Sequence, residues 1–315
     1  MEMQMRAGDR LLIFGSSGFV GGNLAYQAPQ RGWQVIAADQ DHPGLDHKVI
    51  PRTVDITIPG AVEQLVRETA PTAVVNCAAL ANIDIAEREP ELAWRVNVAG
   101  AQTIAESCAS HGIRHIYLST DAVFDGKKGT YHEADTPNPV NHYGLTKAKG
   151  EGKVLDAHPQ AAVVRLSLVL GYPVTRGNSF LAVLEDNLKA GKVVQAPSHE
   201  IRTPIDILTL CSCIIELIGI SYSGLLHLGG TESINRYTLT NMITKTLGYP
   251  DSLVHKQSKT DIQAERAPRH ANGILDISKA RQVLRTPLLN LDDTINQALQ
   301  SRVTNSIGDS EYGEA

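Results

Sequence analysis

The sequence predicts an α/β protein built on a Rossmann-type doubly wound parallel sheet, with a smaller, interleaved C-terminal domain. In the first half of the 315 residues, short apolar runs alternate five times with helical patterns, and no hairpin signal joins them. The apolar runs contain few polar residues, as expected of parallel strands that helices cover on both faces. A glycine-rich turn joins the first run to the first helical pattern. Together these observations favour the doubly wound class.

The individual elements follow from periodicity and from the residues that interrupt it. Pro29 and Gly32 end the first helix, and Val62, Leu65 and Val66 mark one face of the second. Strands are predicted at Arg10 to Phe14, Trp33 to Asp39, Val54 to Asp55, Thr72 to Cys77, Ile113 to Ser119 and Ala161 to Leu170, with a short one at Leu225 to Leu228. Helices are predicted at about Gly18 to Gln30, Ala61 to Thr69, about Pro90 to His111, from near Asn141, and at Ser179 to Ala190, Asp206 to Ile218, Tyr237 to Leu247 and Leu291 to Leu299.

The pattern becomes less regular after Gly171, which suggests a second domain. We expect residues 10–171 and about 201–230 to form the Rossmann domain. Residues 172–200 and 231–302 would form a smaller domain that closes over the strand ends. Residues 1–9 and 303–315 are expected to be flexible ends.

Composition and charge argue against several classes of protein. A net charge of −5, without a Lys/Arg cluster, argues against a nucleic-acid partner. No apolar run has the length of a membrane span, and the start of the chain lacks the pattern of a signal peptide. The four cysteines lack metal-site spacing, so we expect reduced thiols, no bound metal and a cytoplasmic location.

The glycine-rich turn has the spacing of a phosphate cradle. Glycines lie at every third position, at Gly15, Gly18 and Gly21, between an apolar strand and a helix. Glycine lets the backbone approach a pyrophosphate, and the helix N-terminus supplies free N–H groups. A plain strand-to-helix turn is the alternative interpretation.

An acidic residue follows at the distance that a dinucleotide site requires. Asp39 ends the second predicted strand, about 20 residues beyond the turn, where a carboxylate can bind an adenosine ribose and repel a 2′-phosphate. We therefore expect NAD(H) to be favoured, with NADP(H) as the alternative. A solvated loop carboxylate is the other interpretation of Asp39.

Further polar or small residues end the other predicted strands. Asn76 closes the fourth strand and Ser119-Thr120 closes the fifth. Because the ligand crevice of a doubly wound sheet lies at the carboxyl ends of its strands, these groups should converge with Gly15 and Asp39. Asn97, polar within an apolar helical pattern, is either part of this site or a satisfied core amide.

A tyrosine and a lysine four residues apart are the candidate catalytic residues. Tyr143 and Lys147 lie on one face of a predicted helix. A nearby cation should lower the tyrosine pKa toward neutrality, so that the phenol exchanges a proton with an oxygen whose carbon exchanges hydride with a nicotinamide. Ser119 or Thr120 would hold the same oxygen. A chance pair on a solvated helix face is the alternative.

These residues resemble a family: the extended short-chain dehydrogenase/reductases, and within them the dTDP-4-dehydrorhamnose reductase-like group. The resemblance covers roughly residues 10 to 300. It rests on the glycine turn, Asn76 to Ala79, Val96-Asn97, Ser119 to Gly126, Tyr143 to Lys147 with Gly150-Glu151, Val164 to Ser167, Arg202 to Pro204 and Leu226 to Gly230.

The resemblance implies roles for individual residues. The catalytic set would be Thr120, Tyr143 and Lys147, with Asn97 in support. The cofactor would contact Gly15, Ser17, Gly18, Phe19, Val20, Gly21, Asp39, Asp55, Ile56, Cys77, Ala78, Ala79, Tyr143 and Lys147. A nucleotide-sugar substrate would contact Ser119, Asp121, Ala122, Val123, Asn178 and Arg202, the Asn178 loop and Arg202 on the side of its diphosphate. The family often has Tyr at the position of Ala122, which leaves the sugar open.

Three functions stay open. The first is an NAD(P)H-dependent reductase of a 4-keto nucleotide sugar in deoxysugar biosynthesis, with Tyr143 as proton donor. The second is a nucleotide-sugar 4-epimerase that retains NAD. The third is a non-catalytic cofactor-binding subunit, resembling the regulatory subunit of methionine adenosyltransferase. Helices beside such a sheet often pair two copies into a homodimer.

Overall fold

The computed structural model describes residues 9–42, 44–45, 48–175, 177–258 and 266–305. Its strands are β1 (Arg10–Phe14), β2 (Gln34–Asp39), β3 (Val49–Thr53), β4 (Ala73–Asn76), β5 (Arg114–Thr120), β6 (Ala162–Leu166), β7 (Val169–Leu170), β8 (Val194–Pro197), β9 (Ile201–Arg202), β10 (Ile205–Asp206), β11 (Gly224–Leu228), β12 (Ile234–Asn235), β13 (Val254–Gln257) and β14 (Asn272–Gly273).

Helices flank these strands. They are α1 (Phe19–Gln27), α2 (Ala61–Thr69), α3 (Ile83–Arg88), α4 (Pro90–Trp94), α5 (Ala101–Ser110), α6 (His142–Ala157), α7 (Phe180–Lys189), α8 (Ile207–Ile218), α9 (Arg236–Thr246), α10 (Ser278–Val283) and α11 (Leu291–Asn305), with a π-helical segment at Arg95–Gly100. Among the described residues, no helix has both the length and the apolar character that a membrane span needs.

The central sheet confirms the predicted fold class. Seven strands of the described chain pair in parallel in the order β11-β6-β5-β4-β1-β2-β3. Helices α1 and α8 pack on one face, around Leu24 and Leu210, and helices α2 and α5 pack on the other, around Val62 and Ile104. The strand order reverses beside β1, so a crevice opens at the carboxyl ends of β1 and β4.

The later part of the chain builds a second layer over this edge. Helices α7, α9 and α11 share an apolar cluster that includes Leu184, Ile243 and Ile295. A small sheet in the order β12-β9-β14 joins segments far apart in sequence. Its strands have two residues each, too short for any period in the sequence to reveal them.

Three predicted elements were placed wrongly. The third strand is Val49–Thr53, not Val54 to Asp55. Pro51 interrupts the strand pattern in the sequence, but this strand lies at the sheet edge, where proline is tolerated. The helix predicted from Pro90 to His111 is divided by the π-helical segment. The sixth strand ends at Leu166, after which Ser167 leaves the sheet and its hydroxyl bonds Asp121.

The C-terminal helix also runs further than predicted. Helix α11 continues to Asn305 and so includes residues expected to be flexible. The remaining expectations for flexible ends fall on residues 1–8 and 306–315, which lie outside the described residues.

Candidate active site

The glycine turn brings the ends of β1 and β4 into contact. Gly15 has φ +78°, and a β-carbon on it would lie 2.5 Å from the backbone nitrogen of Ala78. A β-carbon on Gly21 would lie 2.2 Å from the carbonyl oxygen of Gly15. Only glycine permits this approach of strand, turn and helix.

Helix α1 opens onto this turn with free donors. Its N-cap is Gly18, which offers no side-chain cap, so the first N–H groups of the helix lack partners within it. The Thr175 hydroxyl donates to the Ser17 carbonyl at 2.7 Å and forms a wall beside the turn. The close backbone and the uncapped helix end fit the pyrophosphate of a dinucleotide cofactor.

Asp39 lies beside the turn, as the sequence predicts, and also holds it in shape. Its Oδ2 accepts hydrogen bonds from the Ser17 N–H at 2.8 Å and the Ser17 hydroxyl at 2.6 Å. Its Oδ1 accepts from the Gln40 N–H at 2.8 Å. The carboxylate therefore links the end of β2 to the phosphate cradle.

Two residues predicted near the adenosine lie after β3. Asp55 accepts hydrogen bonds from the Thr57 N–H at 2.8 Å and its hydroxyl at 2.7 Å, and these bonds lower the Asp55 pKa. Ile56 is buried and packs beside Gly100, where a β-carbon would lie 2.7 Å from its Cδ1. Their contact with a cofactor stays a prediction.

The segment after β4 lines the other side of the cradle. The Cys77 N–H donates to the Phe14 carbonyl at 2.9 Å, and the Ala78 N–H donates to Asn76 Oδ1 at 3.0 Å. Burial raises the pKa of the Cys77 thiol to about 12, so it stays protonated and unreactive.

Asn97 lies within the π-helical segment and is fully engaged. Its Oδ1 accepts from the Leu80 N–H at 2.8 Å, and its Nδ2 donates to the Thr146 hydroxyl at 3.0 Å. The amide thus ties the segment after β4 to helix α6, which carries Tyr143 and Lys147.

The structure brings Tyr143 and Thr120 together. Asn141 caps helix α6 by accepting from the Gly144 N–H at 2.8 Å, and this fixes the start of the helix. Burial raises the pKa of Tyr143 to about 12, although a hydrogen bond with the Thr120 hydroxyl opposes that rise. The sequence-based expectation of a lowered tyrosine pKa is therefore not met, because burial outweighs any nearby positive charge.

Lys147, one helical turn after Tyr143, is held by residues of β5. Its ammonium donates to the Leu118 carbonyl at 2.6 Å and lies 4.0 Å from the centre of the Tyr117 ring. Burial lowers the pKa of Lys147 to about 7, with the Glu151 carboxylate opposing the shift. Lys147 is thus ready to exchange a proton near neutral pH.

Ser119 contacts the buried residues that hold helix α6 in place and not the crevice at the strand ends. Its hydroxyl donates to Glu151 at 2.5 Å, and Arg165 donates to both Glu151 oxygens at 2.9 and 2.7 Å. This ion pair is buried, with side-chain exposures of 1% and 5%. It fixes helix α6 against β5 and β6.

Asp121 and Arg202, both predicted on the substrate side, face each other. Arg202 Nε lies 3.4 Å from Asp121 Oδ2, and the guanidinium donates to the carbonyls of Ile201, His270 and Ala271 at 2.8 to 3.1 Å. Burial opposes ionisation of Asp121, but His270 and Arg202 outweigh it and lower its pKa. Arg202 therefore has few donors left for a ligand.

The other substrate-side residues differ in accessibility. Ala122 and Val123 are buried, and the Ala122 N–H donates to the Thr120 hydroxyl at 3.1 Å. Asn178 is exposed just before helix α7. Position 176, in the same loop, lies outside the described residues.

The sequence pattern did not indicate several residues that the small sheet β12-β9-β14 brings close to Asp121 and Arg202. His270 is buried, and its Nε2 lies 3.4 Å from Asp121 Oδ2. Glu200 and Arg236 lie beside Arg202 in the same sheet region. The only signal in the sequence was an irregular Arg/Pro stretch at 266–269, which did not indicate its partners.

Comparison with known proteins identifies the family of the chain. Residues 9–303 match the model of a family described as the RmlD substrate binding domain. Methionine adenosyltransferase 2 subunit beta of Xenopus tropicalis is 30% identical over 291 residues, covering 89% of this chain and 85% of that protein. The dTDP-4-dehydrorhamnose reductase of Mycobacterium tuberculosis is 29% identical over 297 residues, covering 92% of each.

A solved structure extends the likeness to three dimensions. The dTDP-4-dehydrorhamnose reductase from Bacillus anthracis, solved in complex with NADP, aligns with a TM-score of 0.82 at 26% identity. It covers 92% of this chain and 98% of that one. The resemblance inferred from the motifs is confirmed, and this chain belongs to the RmlD substrate binding domain family.

Proposed function

We propose that this protein is an NAD(P)H-dependent reductase of a 4-keto sugar nucleotide, with Tyr143 as the proton donor. The observation that carries the proposal is the closeness of Tyr143, in the first turn of α6, to Thr120, the last residue of β5, at the sheet edge that holds the glycine cradle. Two hydroxyls together suit a carbonyl oxygen, which accepts hydrogen bonds from both. The family match and the named reductase relatives support the same chemistry.

Thr120, Tyr143 and Lys147 each have a separate role in the proposed reaction. Thr120 orients the keto oxygen, and Tyr143 donates its phenolic proton as negative charge develops there. A pKa of about 12 keeps the phenol protonated at neutral pH, and an alkoxide is basic enough to take its proton. Lys147, whose pKa is about 7, then helps to return a proton to Tyr143. A bound reduced nicotinamide supplies the hydride.

We propose NADH as the preferred cofactor, with NADPH as the alternative. Asp39 places a carboxylate beside the cradle, where it favours a ribose hydroxyl and repels a 2′-phosphate. The relative from Bacillus anthracis was solved with NADP, which keeps the alternative open.

The test is a screen of 4-keto nucleotide sugars. Purified protein, cofactor and each sugar would be followed by NADH and NADPH absorbance, with identification of the product. We expect stoichiometric oxidation of the cofactor and one reduced sugar nucleotide. No turnover with any 4-keto nucleotide sugar would contradict the proposal.

Two other functions give different results in the same experiment. A 4-epimerase would purify with NAD already bound and would interconvert sugars without net cofactor oxidation. A regulatory subunit would bind cofactor without turnover and would alter the kinetics of a methionine adenosyltransferase catalytic subunit. The likeness to methionine adenosyltransferase 2 subunit beta is the observation that favours this last function.

We also propose that the chain is divided into two domains. Residues 10–171 with about 201–230 would form the cofactor domain, and residues 172–200 with 231–302 would bind the sugar nucleotide.

Four free cysteines suit a reducing cytoplasm. A homodimer is the expected assembly, and light scattering on the purified protein would test it.

A further inference from the structure

Asp121 is a buried carboxylate that directly follows Thr120 and has polar neighbours at both of its oxygens. Its Oδ1 accepts a hydrogen bond from the Thr120 hydroxyl at 3.2 Å. Its Oδ2 accepts from the Ser167 hydroxyl at 3.1 Å and lies 3.4 Å from both Arg202 Nε and His270 Nε2. The carboxylate therefore connects the proposed catalytic threonine to His270, a residue that has no role in the reaction proposed for this site.

Two glycines make room for His270 beside this carboxylate. A β-carbon on Gly273 would lie 2.7 Å from His270 Nε2 and closer still to Asp121 Oδ2. A β-carbon on Gly126, which has φ +75°, would lie 2.6 Å from the backbone nitrogen of Ala271. Because neither position has room for a side chain, the chain around β14 packs directly against the residues that follow β5. The His270 side chain is buried there.

The Thr120 hydroxyl has a single proton, for which two acceptors compete in the proposed reaction. One acceptor is Asp121 Oδ1. The other is the keto oxygen of the substrate, which Thr120 orients only by donating to it. At 3.2 Å the bond to Asp121 is longer than the ~2.5–2.7 Å that is usual for a hydroxyl donating to a carboxylate. Asp121 therefore holds this proton weakly, and a keto oxygen can take it over.

The groups at Oδ2 determine how strongly Oδ1 attracts the Thr120 proton. A donor at one oxygen of a carboxylate draws negative charge toward itself, which makes the other oxygen a weaker acceptor. Burial alone would raise the pKa of Asp121, but His270 and Arg202 lower it below its usual value. The Nη groups of Arg202 donate to backbone carbonyls, so only its Nε faces Asp121. His270 Nδ1 makes no hydrogen bond in the described part of the chain, so no other group prevents the tautomer with a proton on Nε2.

We propose that His270 is a positioning residue that acts through Asp121 to release the Thr120 hydroxyl for the keto oxygen. The identity of the reaction rests on the proposed function, whereas the connection between the three side chains rests on the distances between them. With His270 present, Asp121 gives up the Thr120 proton when the keto oxygen arrives. Without a donor at that position, Asp121 keeps the proton, and the keto oxygen loses one of its two hydrogen-bond donors.

The test is steady-state kinetics of the full chain with the 4-keto nucleotide sugar that it reduces. His270→Leu replaces the donor with an apolar side chain and should lower kcat about tenfold, the usual effect of losing one hydrogen bond to a charged group. KM should change less, because the bond matters most as negative charge develops on the keto oxygen. His270→Gln supplies a neutral donor and should recover most of the rate.

A double-mutant cycle separates action through Thr120 from a general effect on the fold. Thr120→Val removes the proton for which Asp121 and the substrate compete. If His270 acts through that hydroxyl, adding His270→Leu to Thr120→Val should lower kcat no further. A His270→Leu substitution that only loosened the structure would lower kcat by the same factor in both backgrounds, and that result would overturn the proposal.

Two further variants serve as control and as second test. His132 Nδ1 lies 3.8 Å from Asp276 Oδ1 in another histidine–aspartate pair, with the His132 side chain 56% exposed, and His132→Leu should leave kcat unchanged. Gly273→Ala places a methyl group between Asp121 and His270 without altering either side chain, and should lower kcat as His270→Leu does. Circular dichroism and NADH fluorescence titration report whether each variant keeps the fold and the cofactor site. Should His270→Leu fail to fold, Gly273→Ala carries the same test.

The outcomes distinguish this inference from the proposed function. A wild type that reduces the sugar, together with unchanged kcat in His270→Leu and Gly273→Ala, would overturn the role of His270 alone. An equal loss of kcat in His270→Leu and His270→Gln would also overturn it, because the donor would then not be what matters. A wild type that reduces no 4-keto nucleotide sugar would contradict the proposed function and this inference together.

Discussion

Burial shifts the pKa of Tyr143 and that of Lys147 in opposite directions, and both shifts favour the neutral side chain. Tyr143 reaches about 12 and Lys147 about 7. A neutral phenol is the form that donates a proton, which is what the proposed reduction of a carbonyl requires of Tyr143. The Lys147 ammonium is held by the Leu118 carbonyl and the Tyr117 ring.

Removing the Tyr143 hydroxyl should abolish turnover without disturbing the cofactor site. We expect Tyr143→Phe to lose about 10²- to 10⁴-fold in kcat, the usual contribution of a positioned acid, while NADH affinity stays unchanged. Steady-state kinetics and fluorescence titration measure the two quantities. Tyr249→Phe, in the α9–β13 connection, is the matched control. Substantial residual turnover in Tyr143→Phe would remove Tyr143 as the acid.

Asp39 holds the glycine turn, and we propose that it also selects the cofactor; two substitutions separate these roles. Asp39→Asn keeps an acceptor for the Ser17 donors but removes the negative charge. We expect it to raise the ratio of kcat/KM for NADPH to that for NADH about tenfold. Asp39→Ala should relax the preference too, and should also weaken both cofactors because the turn loses its support. A wild type that already turns over NADPH as well as NADH would contradict the role in discrimination.

Strand-end residues could be predicted from sequence, whereas residues on short irregular segments could not. Gly15, Asp39 and Thr120 each end a strand with a clear apolar pattern, so the sheet topology alone brings them together. Arg236 and His270 follow or precede two-residue strands that have no period. Their partners become visible only when β9, β12 and β14 pair.

At the scale of elements, the glycine turn is a junction with no room for a side chain at Gly21. A β-carbon on Gly21 would meet the Gly15 carbonyl oxygen at 2.2 Å, which is backbone that cannot move aside. We expect Gly21→Ala to lower stability by about 1–3 kcal/mol and to weaken NADH binding more than tenfold. Urea unfolding and fluorescence titration measure both effects.

A helical glycine in open space provides the control for that prediction. Gly152 lies in α6 with nothing within 4 Å of an added β-carbon. Gly152→Ala should therefore stabilise the protein by about 0.5–1 kcal/mol, because alanine is the better helix former. If the two variants behaved alike, the close approach at Gly21 would not explain its requirement for glycine.

Two of the three misplaced elements share a physical cause. Pro51 at the edge of the sheet and the π-helical turn at Asn97 both break local rules for a tertiary reason. The edge position tolerates a missing N–H, and the π-helical turn positions the Asn97 amide against Leu80 and Thr146. Single-sequence periodicity detects regular elements and misses such adjustments.

Over the whole molecule, the alternation of strands and helices was enough to predict the parallel sheet. The second layer was harder, because α7, α9 and α11 cluster around residues that are distant in sequence. Strand β11 also returns to the central sheet after helices α7 and α8, which makes the two layers interleave. Stability should therefore depend on groups buried between elements.

Two buried histidines make the fold sensitive to acid. Burial lowers the pKa of His115 and that of His227 to about 3, against about 6.5 in the unfolded chain. Between those values the unfolded state takes up protons that the native state does not. The free energy of unfolding should therefore fall as pH decreases from 6.5, by about 1.4 kcal/mol per pH unit for each histidine.

Urea unfolding between pH 6.5 and about 5.5, above the range where ordinary carboxylates titrate, measures this slope. The two ring nitrogens of His115 make no hydrogen bond within the described residues, so His115→Leu removes its titration without breaking such a bond. We expect that variant to have roughly half of the wild-type slope, because His227 alone then contributes. His255→Leu, at an exposed position in β13, should leave the slope unchanged. An unaltered slope in His115→Leu would show that its ring reaches solvent and takes up protons in the native state.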